Sequence, residues 1–164
     1  MTFRRLATSA TSCCAIILAT AMLAAPAMAR QGAFATPAEA SVRAPVGLWL
    51  TANGKAVVRI ADCGDELCGR IAGLSRAPSE AMPTDLAGHP QCGLTIIHAE
   101  GPHGNGVWTG TVSDPRTGRS YGARLRVDEA GNLRLRGFLG IPLLGETVTW
   151  HAFRGRLATA CRMS

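Results

Sequence analysis

The chain has 164 residues and a formal net charge of +6 at pH 7. This length suits one ordinary domain rather than several. The positive charge is modest and dispersed, whereas a nucleic-acid-binding domain concentrates it in a patch or stripe, so we expect no nucleic-acid partner. We also expect no cofactor.

The first 29 residues predict a signal peptide. Arg4 and Arg5 form a positive start, an apolar run of small residues follows, and Ala27-Met28-Ala29 supplies the small residues that a signal peptidase accepts. A transmembrane anchor would instead need about 20 consecutive apolar residues, and this run is shorter. We therefore expect cleavage after Ala29, a periplasmic or secreted location, and no transmembrane segment in the mature chain.

The mature chain is expected to begin with a flexible lead-in, residues 30–45, which is small, polar and interrupted by proline. Residues 46–164 are predicted to form a β-barrel domain. Of the 17 Lys and Arg residues, Arg4 and Arg5 lie in the leader, which leaves 15 against 11 acidic residues and a formal charge of +4. Such a charge favours contact with an anionic envelope surface.

Four cysteines follow the leader, namely Cys63, Cys68, Cys92 and Cys161. An even number of cysteines in an exported chain predicts disulfides, and three connectivities are open. A zinc site would require closely spaced cysteine pairs, and these four are scattered, so we expect no metal.

The sequence pattern that predicts β-strands begins at Val46. Asn53-Gly54 between apolar runs predicts a two-residue hairpin turn in which both residues have a positive φ. This register places Trp49 opposite Val58.

The segment CGDELC, residues 63–68, predicts a second hairpin. If Cys63 pairs with Cys68, Ile60 falls opposite Ile71 and both isoleucines share one face. Neighbours across two strands approach closely enough for a disulfide. The alternative is two free thiols, and a redox-active pair would have two intervening residues rather than four.

Residues 75–93 contain three prolines and interrupt the strand pattern, which predicts a long loop able to cover one mouth of the domain. Cys92 lies at the end of this loop. Cys161 is its remaining partner if the first disulfide forms, and that bond would join the loop to the C-terminus.

Residues 94–153 predict five further strands with period-two alternation. Residues 114–118 (DPRTG) form a predicted turn with Pro at its second position. Glu129-Ala130-Gly131 predicts a three-residue hairpin loop in which Gly131 is left-handed.

Eight consecutive strands without a long amphipathic helix predict an all-β fold, an eight-stranded antiparallel up-and-down β-barrel. The alternative is a barrel or sandwich filled by its own side chains. The predicted interior is apolar and fairly small, which leaves room for a small ligand. The side chains predicted to contact that ligand are Trp49, Val58, Ile60, Ile71, Trp108, Val112, Tyr121, Leu125, Leu133 and Leu135.

Several motifs together resemble a known family. In chain order they are GKAVVRI, CGDELCGRI, CGLTI, DP-x-TG-x-x-Y and LRGFLGIPLLGETVTW, within about residues 46–151. They resemble the bacterial domain of unknown function 2147. The resemblance implies an exported single-domain protein with a lipocalin-like barrel, and it implies no established activity and no catalytic residues.

Gly47-Leu48-Trp49 is also similar to the G-x-W signature at the start of lipocalins. There the Trp closes the base of the barrel, and an Arg near the end of the last strand lies across it. Arg154 is the candidate here, because Ala152 stands where the family often has Arg. The alternative is that Trp49 fills the core.

The sequence contains no catalytic signature such as G-x-S-x-G. The four histidines lack the spacing of a ready metal-ligand pair. Asp62, Asp65 and Glu66 crowd the second hairpin turn. They are either a small cation or polar-ligand site at the barrel rim or solvated turn residues.

The predicted register of the sixth and seventh strands places Arg126 opposite Arg134 and Arg124 opposite Arg136. Opposed like charges are unfavourable. These arginines form either a basic patch for lipid phosphate, an anionic envelope polymer or an acidic partner, or a solvated face that discourages edge aggregation.

Three functions are compatible with these patterns. The leading hypothesis is an exported barrel that binds a small, largely apolar ligand such as a lipid or acyl chain. The second is a filled, non-catalytic envelope module that acts through its arginine-rich surface. The third is an enzyme in which Asp85, His89 and Asp114 converge at the rim.

Overall fold

A computed structural model of the chain describes residues 43–164. The predicted signal peptide, residues 1–29, and residues 30–42 of the predicted lead-in lie outside the described residues. Residues 43–164 form ten β-strands and two short 3₁₀ turns. Among these residues, no helix has the length and apolar character needed to cross a membrane.

Eight strands close into one antiparallel barrel. They are β1 (Gly47–Leu50), β2 (Ala56–Asp62), β3 (Leu67–Leu74), β4 (Thr95–His103), β5 (Val107–Asp114), β6 (Arg119–Val127), β7 (Leu133–Phe138) and β8 (Glu146–Ala152). Each strand pairs with its neighbours along the chain, and β1 also pairs with β8. This confirms the predicted eight-stranded antiparallel up-and-down β-barrel.

A short hairpin that the sequence did not predict follows the barrel. Its strands, β9 (Leu157–Ala158) and β10 (Arg162–Met163), pair with each other, and β10 runs parallel to the end of β3. A Cβ at Gly73 would lie 2.6 Å from the Leu157 side chain and 3.1 Å from that of Met163, so the hairpin packs directly on the β3 backbone. It covers the outer wall here, and the neighbouring Val57 is fully buried.

Three predicted cross-strand pairs are confirmed, namely Trp49–Val58, Arg126–Arg134 and Arg124–Arg136. The length of the loop between β6 and β7 sets the register of the two arginine pairs. Asp128 N–H donates to the Asn132 carbonyl at 2.9 Å, and Gly131 has a φ of +79°, which makes residues 129–131 the predicted three-residue loop.

The first hairpin has the predicted register but a different turn. Thr51 N–H donates to the Ala56 carbonyl at 2.9 Å, which closes a four-residue loop. Gly54 has a positive φ of +67°, whereas Asn53 does not. The Asn53 side-chain oxygen instead accepts from the Lys55 N–H at 3.0 Å, and this local bond removes the need for a second left-handed residue.

The turn of the second hairpin is shorter than predicted. Cys63 N–H donates to the Glu66 carbonyl at 2.9 Å, and Gly64 has a φ of +92°. Gly64 and Asp65 therefore form a two-residue turn, which Gly at the first position favours.

This shorter turn changes the pairing of β2 with β3. Ile60 lies opposite Gly69 rather than opposite Ile71, so the predicted pair was wrong. The shift is two residues, and a shift of two keeps every side chain on its original face. Ile60 and Ile71 consequently both remain in the core.

A β-bulge interrupts β3 near its end. Ala72 is the extra residue, because its neighbours Ile71 and Gly73 pair with the consecutive residues 57–58 of β2. A bulge changes the direction of the side chains that follow it. Leu74 accordingly joins the core inside the barrel.

A second bulge lies at the start of β4. Ile96 is the extra residue, because its neighbours Thr95 and Ile97 pair with the consecutive residues 69–70 of β3. The consecutive side chains Ile96 and Ile97 are both buried in the core, which a regular alternating strand does not allow.

We expect Gly110→Ala to destabilise the barrel by roughly 3 kcal/mol, because overpacking against backbone cannot relax easily. A Cβ at Gly110 would overlap the His98 carbonyl oxygen and lie 2.7 Å from the Ala99 Cα. Urea unfolding measures the loss. The control is Gly137→Ala, because a Cβ at Gly137 meets nothing within 4 Å. Equal losses in the two variants would contradict this prediction.

Candidate functional site

A cavity of about 1010 Å³ lies at one end of the barrel, which we call the mouth. The loops β1–β2, β3–β4, β5–β6 and β7–β8 meet at this end. Its volume is at the upper end of the range for small-molecule sites. The apolar residues that line it from the strands are Ala56, Ile71, Leu74, Ile96, Val112, Val148 and Trp150, and the polar side chains include Lys55, Arg76, Asp114, Arg116, Tyr121 and Glu146.

The opposite end of the barrel is closed by packed side chains. Leu67, Leu125 and Leu133 are at most 1% exposed. Pro45, the last residue of the predicted lead-in, is fully buried, and its carbonyl accepts from the Trp49 ring N–H at 2.7 Å. The barrel is therefore filled at one end and open at the other.

Three of the ten side chains predicted to contact a ligand line the cavity, namely Ile71, Val112 and Tyr121. The other seven are buried in the core cluster: Trp49, Val58, Ile60, Trp108, Leu125, Leu133 and Leu135. The Trp49 N–H donates to the chain's own backbone, and Arg154 is exposed, so Trp49 fills the core.

Sequence reasoning did not find several lining residues. Val148 and Trp150 alternate along β8, and their period of two could have placed them inside the barrel. Leu74 and Ile96 face the cavity because of the two bulges, and a bulge has no reliable sequence signature.

Part of the inner wall near the mouth carries no side chain. Gly137 has the same parity along β7 as the inward-facing Leu133 and Leu135, and it lies opposite Glu146, which lines the cavity. A Cβ at Gly137 would meet no other atom within 4 Å. The glycine thus leaves space that a larger residue would occupy.

The predicted loop 75–93 forms one side of the cavity through Pro83, Thr84 and Gln91. Gln91 is 6% exposed, and its side-chain amide donates to the Thr84 carbonyl at 2.9 Å. Its backbone N–H donates to the Pro83 carbonyl at 2.9 Å. These bonds give the loop a defined conformation at the mouth.

Both predicted disulfides are present, Cys63–Cys68 and Cys92–Cys161. The second joins the end of loop 75–93 to the C-terminal hairpin. Because disulfides persist in oxidising compartments, they indicate an extracytoplasmic location.

Removing the Cys92–Cys161 bond should destabilise the protein more than removing the Cys63–Cys68 bond. The two bonds span 69 and 5 residues respectively. Loop-closure entropy predicts about 4 kcal/mol for the Cys92→Ser, Cys161→Ser variant and about 2 kcal/mol for the Cys63→Ser, Cys68→Ser control. Urea unfolding followed by tryptophan fluorescence gives both values. A larger loss of stability in the control variant would show that chain entropy does not dominate the contribution of these disulfides to stability.

The residues proposed for catalysis do not share one site. Asp114 lines the cavity, whereas Asp85 and His89 do not. Asp85 accepts from the His89 ring at 3.2 Å within loop 75–93, and the backbone N–H of His89 lowers the pKa of Asp85 by hydrogen bonding to its carboxylate.

Asp114 is half-buried at the cavity rim, next to Arg116. Partial burial by itself disfavours the charged carboxylate, but the Arg116 backbone N–H at 2.9 Å and its guanidinium at 3.4 Å hold the pKa of Asp114 below its ordinary value. Since the folded pKa is depressed, the turn gains stability above the unfolded pKa and loses it as pH falls through the folded pKa.

We expect the Asp114 carboxyl to titrate below about 3.9 in an NMR pH series. Arg116→Gln should raise this midpoint toward the ordinary value, because it removes the guanidinium. Arg59→Gln, which changes an exposed arginine on β2, is the control and should leave the midpoint unchanged. An unaltered midpoint in Arg116→Gln would contradict this prediction.

One acidic residue of the second hairpin turn, Glu66, lies against the disulfide. Glu66 accepts from the His98 ring at 2.9 Å, and its carboxylate lies 3.9 Å from each sulfur of Cys63 and Cys68. The two sulfurs are bonded to each other, so neither is the thiolate that a metal ion would bind.

Comparison with known proteins identifies the family. A family model described as an uncharacterized protein conserved in bacteria (DUF2147) matches residues 47–152, which is the barrel from its first to its last strand. The chain belongs to this DUF2147 family. The family has no known activity, and no curated protein matches the chain in sequence.

The fold is similar to that of a solved protein, HP1028 from the human pathogen Helicobacter pylori, which is described as belonging to the lipocalin family. The match has a TM-score of 0.55 and 15% sequence identity, and it covers 66% of this chain and 82% of that one. This DUF2147 protein is therefore lipocalin-like in fold.

Proposed function

We propose that this DUF2147 protein binds a small, largely apolar ligand, such as a lipid or acyl chain, in the mouth cavity. The observation that carries the proposal is the combination of an apolar floor with a barrel end that its own side chains leave unfilled. Val112, Val148 and Trp150 line the cavity, whereas the closed end is packed. Burial of an acyl chain against such a floor is favourable at about 25 cal/mol per Å².

The lining also supports one orientation of the ligand. Its basic side chains, Lys55, Arg76 and Arg116, belong to the loops at the mouth, and the large apolar ones, such as Ile96, Val148 and Trp150, belong to the strands. An amphiphilic molecule would place its chain between the strands and its polar end at this rim. Sites of this kind are mostly apolar, with a few polar groups that set the orientation.

The proposed setting is the periplasm or the exterior of the cell. The signal-peptide pattern of residues 1–29 supports export, and the two disulfides favour an oxidising compartment. An envelope location would also give the protein access to membrane lipids.

Filling the cavity should weaken ligand binding without unfolding the barrel. Gly137→Trp adds a side chain to the open part of the inner wall. If the ligand loses about 60 Å² of apolar contact, its affinity falls roughly tenfold. Displacement of a fluorescent fatty acid measures the affinity.

The matched control is Gly104→Trp. Gly104 lies in the β4–β5 turn at the closed end, and a Cβ there also meets nothing within 4 Å. Its variant should bind like the unmodified protein. Absence of fatty-acid binding in the unmodified protein, together with an empty cavity in native mass spectrometry, would refute the proposed function.

A further inference from the structure

The loop between β7 and β8 exposes a cluster of apolar side chains. The cluster, residues 139–145 (LGIPLLG), contains Leu139, Ile141, Leu143 and Leu144, whose exposure ranges from 55% for Ile141 to 81% for Leu143. Elsewhere in residues 43–164, only Val46 and Leu86 are large apolar side chains with high exposure. A concentration of this kind marks an interaction surface.

The barrel wall holds this apolar loop in place. The Arg136 guanidinium donates to the Pro142 carbonyl at 2.7 Å and to the Leu143 carbonyl at 2.9 Å. Residues 142–144 form a 3₁₀ turn, and Gly145 N–H closes it. Because the conformation is fixed before binding, little entropy is lost when the loop meets a partner.

The four predicted arginines lie on the outer wall beside the loop. A groove of about 290 Å³ is lined by Arg124, Arg126, Arg134 and Arg136, together with Val107, Leu125 and Thr147. Arg124 and Arg126 are exposed. The ion pairs found within residues 43–164 include none of the four arginines, so no carboxylate in this part of the chain lies within ion-pair distance of them.

We propose that the apolar loop and the arginine groove together dock the protein on an anionic phospholipid bilayer. The apolar side chains would enter the boundary between headgroups and acyl chains, and the arginines would bind lipid phosphates. An apolar loop alone suits many protein partners, and a basic groove alone suits many polyanions. The loop and the groove lie side by side on one wall and are joined through Arg136. Together they match the two chemical layers of a bilayer surface, the acyl chains and the lipid phosphates.

The apolar loop of the docking surface lies at the same end of the barrel as the cavity, and the arginine groove extends from it along β6 and β7 toward the closed end. Glu146 directly follows the loop and lines the mouth. Docking would therefore bring the mouth close to the lipid headgroups. The exposed leucines of the loop do not line the cavity, so docking and ligand binding can be tested separately.

Flotation with lipid vesicles tests the proposal. The purified protein should float with vesicles that contain phosphatidylglycerol, and it should float less with phosphatidylcholine alone or at high salt. Leu143→Ser with Leu144→Ser removes apolar surface, and Arg124→Gln with Arg126→Gln removes charge without breaking the bonds of Arg136. Each double variant should lower vesicle affinity roughly tenfold or more.

Two controls match these variants. Arg59 and Arg70 are another opposed pair of exposed arginines, on β2 and β3. Arg59→Gln with Arg70→Gln makes the same change in net charge, and Val46→Ser removes an exposed apolar side chain outside the loop. Both control variants should retain most of the affinity.

Three results would overturn the docking proposal. The first is failure of the unmodified protein to float with phosphatidylglycerol vesicles. The second is undiminished binding by the loop variant, and the third is an equal loss in the Arg59, Arg70 control, which would indicate net charge alone. The loop variant should still displace a fluorescent fatty acid in solution, so failure of docking is distinguishable from failure of ligand binding.

Discussion

Pairing of β1 with β8 closes the barrel, and the other features of the structure depend on this seam. It is short: Trp49 and Leu50 pair with Ala152 and His151, and Phe153 N–H donates to the Leu48 carbonyl at 2.8 Å. Closure gives the backbone groups of both terminal strands partners and removes the edges at which a sheet could aggregate. Closure also separates the inner face of the sheet from water. Without this separation, neither a core nor a cavity would exist.

The two ends of the barrel differ because their side chains differ in size and their strands differ in regularity. At the closed end, large side chains such as Leu67, Leu125 and Leu133 belong to one buried cluster and fill the interior. At the mouth, Gly137 leaves the inner wall bare, and the bulges at Ala72 and Ile96 bend β3 and β4. One closed sheet can thus contain both a packed core and an open cavity.

In this DUF2147 protein, the structural features that we connect with function lie at the mouth of the barrel. Loop 75–93 forms part of the cavity wall, and its Cys92–Cys161 bond joins that wall to the C-terminal hairpin packed on β3. The apolar loop of residues 139–145 projects from the same end, next to the arginine groove. The proposed lipid site and the proposed docking surface would cooperate in this arrangement, because an amphiphile could pass between them without crossing much water.

The sequence by itself determined the eight barrel strands, the register of β1 with β2 and of β6 with β7, and the two disulfides. These features depend on local information: period-two alternation, the loop ending at Gly131, and cysteines in an exported chain. The prediction for the second hairpin was wrong. It placed Cys63 opposite Cys68, whereas Gly64 and Asp65 form a tighter turn. It also gave no signal for the bulges or the C-terminal hairpin. Only the tertiary structure decided which inward side chains fill the barrel and which line the cavity. That division depends on how the closed sheet curves and on the combined volume of residues that lie far apart in the chain.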